Sequence, residues 1–307
     1  MGIIYALLAA ISAGSHDIVF SRPEVKPLPG LYKALLSTLG ALLPIIGAGL
    51  LHFGFISPDA GFWFYVTLHA GLLTAALWLY MRALALGPVS QTQPILALTT
   101  VFLVFTTPFM TDDIVTPLGW VGVVMVGLGI YATQHPGVNP ATGRPYNFWS
   151  PFVEMMRQPG VLAKLGVAVI YSVTANLDRL CLETAGSLAT YLLIDKLLVV
   201  AIIAALLGFG QFRIGAGRTR DKAKARPWWL LGGGLVHGLE VVAHMVALTF
   251  MAVPYVIAVK RLSIVITSLW GYLVRRERQL NWYRLVGLGL VMAGIAVILI
   301  FGVLRQA

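Results

Sequence analysis

Two stretches of the chain decide its architecture. Residues 88–130 read PVSQTQPILALTTVFLVFTTPFMTDDIVTPLGWVGVVMVGLGI, and residues 254–295 read PYVIAVKRLSIVITSLWGYLVRRERQLNWYRLVGLGLVMAGI. Each opens on a proline, runs through solid apolar sequence to a short polar turn, and resumes as a second apolar run with glycines seven residues apart. Aligned with one gap, Pro88 falls on Pro254, Gly122 on Gly287 and Gly129 on Gly294. The apolar runs do not alternate with period two, so they read as helices and not strands. Earlier in each half, AAISAGSHDIVFSR matches AVIYSVTANLDRLC more weakly.

Working outward, a bilayer core needs about 20 apolar residues per helix. That rule gives ten spans: 3–20, 31–53, 62–84, 89–110, 114–134, 161–181, 188–210, 228–250, 254–274 and 284–304. The expected fold is all-α, a polytopic membrane protein of two five-helix repeats around a central cavity. Residues 1–134 form the first repeat, 135–160 a Pro/Gly/Asn-rich linker, and 161–307 the second. Five spans is an odd number, so the halves lie upside down relative to each other, an arrangement used by carriers that expose a midplane site to each side in turn. Composition agrees. Only 11% of residues are charged against 58% hydrophobic, whereas a soluble domain is about one quarter charged. A soluble enzyme, a disordered chain and a coiled coil are excluded.

The net charge of +10 would suggest nucleic acid in a soluble protein. No basic helix or RNP-like motif is present, so nucleic acid is not an expected partner. The cations concentrate in the odd-numbered loops: Arg22, Lys26 and Lys33; Arg82; Arg144, Arg157 and Lys164; six between Arg213 and Arg226; and Arg275, Arg276, Arg278 and Arg284. The positive-inside rule then puts both termini outside, in a bacterial cytoplasmic membrane. The first span lacks a basic leader region and a small-x-small site, so it reads as retained. The single Cys181 excludes an internal disulfide and a cysteine metal cluster.

A proline-led span, a polar turn with an acidic residue and a helix with spaced glycines resemble the EamA-type repeat of the drug/metabolite transporter superfamily. The matching residues are Pro88, Asp112/Asp113, Gly122 and Gly129 in one half, and Pro254, Glu277, Gly287 and Gly294 in the other. The resemblance covers nearly the whole chain and implies secondary transport, with no cofactor and no enzyme activity. Many members are described with cytoplasmic termini, the reverse of the charge count here.

Ionisable residues inside spans are expensive and face a cavity or one another. The eighth span carries His237, Glu240 and His244 on one helix face. A carboxylate flanked by imidazoles can share a proton, so Glu240 and His237 are the proton-coupling candidates. The same groups also read as a hydrogen-bonded structural network or as an incomplete metal shell; no metal is expected. The ninth span carries Lys260 and Arg261, suited to a phosphate or carboxylate. Their string AVKRLS resembles the ninth-helix Lys-Arg pair of sugar-phosphate and nucleotide-sugar transporters, which implies an anionic group on the solute. The competing reading is that both cations neutralise Glu240, Asp178 or Asp195.

Further substrate-contact candidates are Asn176, Lys196, His16 and Trp78, with Asp178, Arg179, Asp195, Asp17 and His69 also inside or beside spans. The second half is expected to build a polar chamber open toward one face. Trp78, Tyr80, Tyr171, Tyr191 and Trp270 lie deep enough to line a cavity or to cage a quaternary ammonium, while Trp63, Tyr65, Trp120, Trp228, Trp229 and Trp282 read as an interfacial belt. Gly232–Gly234 lacks the Lys-Ser/Thr of a phosphate loop and reads as helix packing. The expected function is secondary transport of a small polar organic solute with an anionic group, by exchange or with protons as coupling ion, in a monomer or homodimer bathed in lipid. The alternatives are an exporter of cationic drugs or quaternary amines, and an intramembrane metal-dependent enzyme.

Overall fold

The structure, a computed structural model, describes residues 1–25, 28–111, 113–133, 135, 147, 149–208, 227–276, 281–301 and 303–305. Asp112, Glu277, Arg144 and the basic run from Arg213 to Arg226 lie outside the described residues. Among the described residues the regular structure is helical apart from one antiparallel pair, in which β1 (Asp113–Val115) meets β2 (Val303–Arg305). Among the described residues, eight helices or helix pairs are long and apolar enough to cross a bilayer. The chain is an integral membrane protein.

The first half contains α1 (Gly2–Phe20), α2 (Gly30–Ala48) and α3 (Phe62–Leu86). It continues with α4 (Val89–Thr92), α5 (Leu98–Met110) and the shorter α6 (Pro117–Thr133). After the short α7 (Ser150–Arg157) come α8 (Pro159–Thr184), α9 (Leu188–Gly208) and α10 (Pro227–Phe250). The second half ends with α11 (Val253–Lys260), α12 (Leu262–Leu273) and α13 (Trp282–Phe301). Inside lipid every backbone group must be satisfied within the protein, which is why apolar sequence folds as helix. Large apolar side chains such as Leu51, Phe64 and Phe109 point outward, as lipid allows and water would not.

Packing crosses between the halves. α1 and α2 lie against α10, α3 lies against α8, and α6 lies against α13. Small residues permit these approaches. A Cβ on Gly129 would stand 2.6 Å from the backbone N of Val291 and 2.7 Å from the Gly287 oxygen, and one on Gly294 would stand 2.6 Å from the Gly122 oxygen. Gly234 meets Gly40 in the same way, and Gly233 meets Phe20.

Two spans expected to be continuous are interrupted. α4 passes into a 3-10 turn at Gln93–Ala97 before α5 resumes. Pro94 has no N–H, and its ring excludes the carbonyl four residues earlier from the helical ladder. That carbonyl, of Ser90, accepts a hydrogen bond from the Tyr272 hydroxyl at 3.1 Å. α11 and α12 likewise meet at a break on Arg261.

Lys164 and Arg284, counted among the loop cations, lie inside α8 and α13 and are buried. α8 starts at Pro159 and α13 at Trp282, so each cation falls in the first turns of a helix.

Candidate functional site

Between the halves lies a cavity of about 110 Å³. Both breaks approach it: Lys260, Arg261 and Ser263 line it from one, and Leu96 from the other. The remaining wall comes from α1, α3, α8, α9 and α10. Of the sequence candidates, His16, Lys196, His237, Glu240, His244, Lys260 and Arg261 all line this one space. Asn176 and Trp78 do not. The Asn176 amide bonds Thr106, Thr107 and the Ser172 carbonyl, and Trp78 stacks under the Arg82 guanidinium at 5.4 Å. The first half contributes more than its sparse charges suggested, since Asp17, His69 and Tyr80 face the cavity too.

Three polar groupings divide the wall. In the middle, Lys260 Nζ pairs with Glu240 Oε1 at 2.7 Å, and His237 Nδ1 lies 3.3 Å from Glu240 Oε2. The two readings of the ninth-span cations therefore separate: Lys260 is neutralised by Glu240, while Arg261 is not so paired. Arg261 is 4% exposed, and its Nε has no hydrogen-bond partner among the described residues. His244 Nδ1 is also buried without a partner. Buried polar atoms of this kind cost free energy until something pairs with them.

At one end, the Tyr80 hydroxyl donates to Asp17, and Gln93 Nε2 donates to Asp17 Oδ2 at 2.6 Å. His16 connects this network to Ser37 through a 3.2 Å contact and stacks near His237, with ring centroids 5.1 Å apart. Behind it, Lys164 holds its ammonium 3.1 Å from the Tyr80 ring centroid. At the other end, His69 sits between Asp178 and Asp195, and Lys196 Nζ contacts Asp195 Oδ2 at 2.7 Å. Arg179 lies outside both, paired with Glu183 and the Leu248 carbonyl. Among the deep aromatics, Tyr80 and Tyr171 line the cavity with ring centroids 6.4 Å apart. Tyr191 joins the His69 grouping, and Trp270 packs in the core beside Arg275.

Gln93 and Lys164 were not among the sequence candidates. Gln93 carries no charge to mark it, although the neighbouring Pro94 could have signalled a helix break. Lys164 looked like an interfacial cation. Among the described residues no group of three or more His, Cys, Asp and Glu side chains is placed to hold a metal ion.

No family model matches the chain, and no curated protein matches it. Twenty-six chains of solved structures do. One, described only as a crystal structure of a protein, is 18% identical with a TM-score of 0.65, over 96% of this chain and 95% of that chain. The likeness is one of fold.

Proposed function

We propose that the protein is a secondary carrier of the drug/metabolite transporter type, built of ten spans in two inverted halves, that moves a small organic solute with an anionic group. The carrying observation is a cavity enclosed by both halves, at two helix breaks, lined by the buried Arg261, whose Nε has no hydrogen-bond partner among the described residues. Broken helices at corresponding places in two halves are where carriers of this kind bind their cargo. The breaks do correspond: in the sequence alignment Pro94 falls on Lys260.

The glycine contacts support the inverted repeat. Gly122 aligns with Gly287 and Gly129 with Gly294, while in space Gly122 meets Gly294 and Gly129 meets Gly287. Such crossing of equivalent positions is what a two-fold axis between the halves produces. The eight long spans are joined by the shorter apolar helices Pro117–Thr133 and Trp282–Val297, which pack on each other.

In this reading Arg261 grips the phosphate or carboxylate, and His244 Nδ1 adds a contact. The solute competes with Glu240 for Lys260, so that binding frees the carboxylate to exchange partners with His237. The cell context is a bacterial cytoplasmic membrane with both termini outside. The quaternary-amine alternative has less room, because Lys164 already occupies a face of Tyr80. A thermal-shift comparison of organophosphates, carboxylates and amines tests the reading. A ligand at a hundredfold excess over Kd stabilises a fold by about 2.7 kcal/mol. Anionic solutes are expected to raise the Tm of the wild type and not of Arg261→Ala; stabilisation by amines alone would overturn the assignment.

A further inference from the structure

One imidazole is held by two carboxylates where the halves meet. His69 on α3 presents Nδ1 to Asp195 Oδ1 at 2.7 Å and Nε2 to Asp178 Oδ1 at 3.1 Å. The ring is 2% exposed and Asp195 is fully buried. The other charged and titratable groups around it are few. From α9, Lys196 pairs with Asp195, and the Tyr191 hydroxyl donates to Asp178. From α10, His244 Nε2 lies 3.7 Å from Asp178 Oδ2. Cys181 on α8 lies within the field of both aspartates, and Lys260 and Glu240 stand beyond His244.

A neutral imidazole has one N–H and can donate to one carboxylate only. Its other nitrogen would set a lone pair against an oxygen at hydrogen-bond distance, in a site almost closed to water. Two N–H groups remove that conflict. With the ring as imidazolium, the charges of His69, Lys196, Asp178 and Asp195 sum to zero; with the neutral ring one negative charge is left over.

Just outward of this cluster the halves are sealed to each other by backbone. Thr190 Oγ1 accepts from Ile56 N at 2.9 Å and donates to the Ile56 carbonyl at 2.8 Å. Ser187 Oγ donates to the Gly54 carbonyl at 3.0 Å, and Asp59 N donates to the Thr184 carbonyl at 3.0 Å. Thr190 and Asp195 are separated by five residues of one helix, about 7–8 Å.

We propose that His69 is the proton-carrying centre of the protein and that its protonation holds the cavity shut at the Ile56–Thr190 end. This rests on the carrier reading of the cavity and names the site that couples it to protons. The proton that moves is the one on Nε2, because Asp178 lines the cavity and Asp195 does not. It passes to water in the cavity; the ring keeps Nδ1–H on Asp195, and the cluster goes from neutral to one net negative charge. The Nε2 lone pair then opposes Asp178, α3 parts from α8, and the seal above loosens. Glu240, held by Lys260, is left to exchange with the solute.

The chain carries its own reporter. Cys181 is its single cysteine, fully buried beside the cluster. Alkylation by N-ethylmaleimide should be about tenfold slower in the wild type than in His69→Gln at pH 6, since the variant lacks the lock, and the two rates should converge by pH 9. The loss of the imidazolium charge disfavours thiolate in the variant, so a difference in ionisation works against the expected faster alkylation and cannot produce it. In parallel, ¹⁵N spectra of histidine-labelled wild type should show His69 with both ring nitrogens protonated at pH 6 and one proton lost on raising the pH. A neutral His69 ring at pH 6, or wild-type alkylation that tracks the variant at every pH, would overturn the proposal. If His69→Gln does not fold, the wild-type spectra decide alone. Tm shifts with glycerol 3-phosphate on the same samples read the solute site separately, so a lost solute response with an intact His69 response counts against the carrier reading and not against the lock.

Discussion

Glu240 sits between Lys260 and His237 within a helix that crosses the bilayer, and its energetics are those of a buried pair. Removing one partner of such a pair leaves an uncompensated charge and costs about 3–5 kcal/mol, while removing both can be close to neutral. Glu240→Gln and Lys260→Met should therefore each lower thermal stability by more than the double variant does, in a two-by-two denaturation cycle. Each single variant that folds should also lose solute transport in proteoliposomes; full activity in either would remove that residue from the binding role. The presence of these charges was readable in the sequence, because ionisable groups in apolar runs stand out. Their partners were readable only as alternatives, with Glu240, Asp178 and Asp195 all open to the two cations. Helix geometry placed His237, Glu240 and His244 on one face, and only the tertiary fold brought Lys260 to Glu240 and divided the histidines. His244 turns to Asp178 on α8, while His237 stays with Glu240. Asn176 and Trp78 are the converse: depth in a span made them candidates, and orientation about the helix axis took them out of the cavity.

The α6–α13 contact depends on glycine at Gly129, Gly287 and Gly294 on facing helices. A side chain at Gly129 would begin 2.6 Å from backbone, which the neighbouring helix can accommodate only by moving away. Gly127, two residues earlier, has nothing within 4 Å of a built Cβ. Gly129→Leu should lower the Tm markedly, by at least the ~1–3 kcal/mol of an overpacked core, while Gly127→Leu should leave it nearly unchanged. Equal effects would show that helix propensity and not packing governs this pair. The helix break at Pro94 is secured by Tyr272, so Tyr272→Phe should cost about 0.5–1.5 kcal/mol for the lost hydrogen bond to Ser90, read by thermal denaturation. The spaced glycines stood out in the sequence, whereas the break at Pro94 did not, because 89–110 read as one continuous span. The break at Arg261 was not announced, since Lys-Arg-Leu-Ser holds neither glycine nor proline. It became visible only as an interruption of the backbone ladder between α11 and α12.

At the scale of the whole molecule, hydropathy located the eight long membrane helices because the bilayer imposes one simple demand on length and polarity. Orientation rests on loop charge, and Lys164 and Arg284 show how that count mixes buried cations with solvated ones. With both termini outside, a tag on either end should react with an impermeant label on intact cells; reaction only after permeabilisation would reverse the topology. The cavity lies between the two halves of the chain, and the proposed carrier would have to show it to each side in turn. Ser263 lines that cavity and is 4% exposed. The decisive measurement places a cysteine there, Ser263→Cys on a Cys181→Ser background, in vesicles of known orientation, with an impermeant maleimide applied to one face at a time. Alternating access predicts modification from both faces; modification from one face only, under every condition of pH and solute, would contradict it.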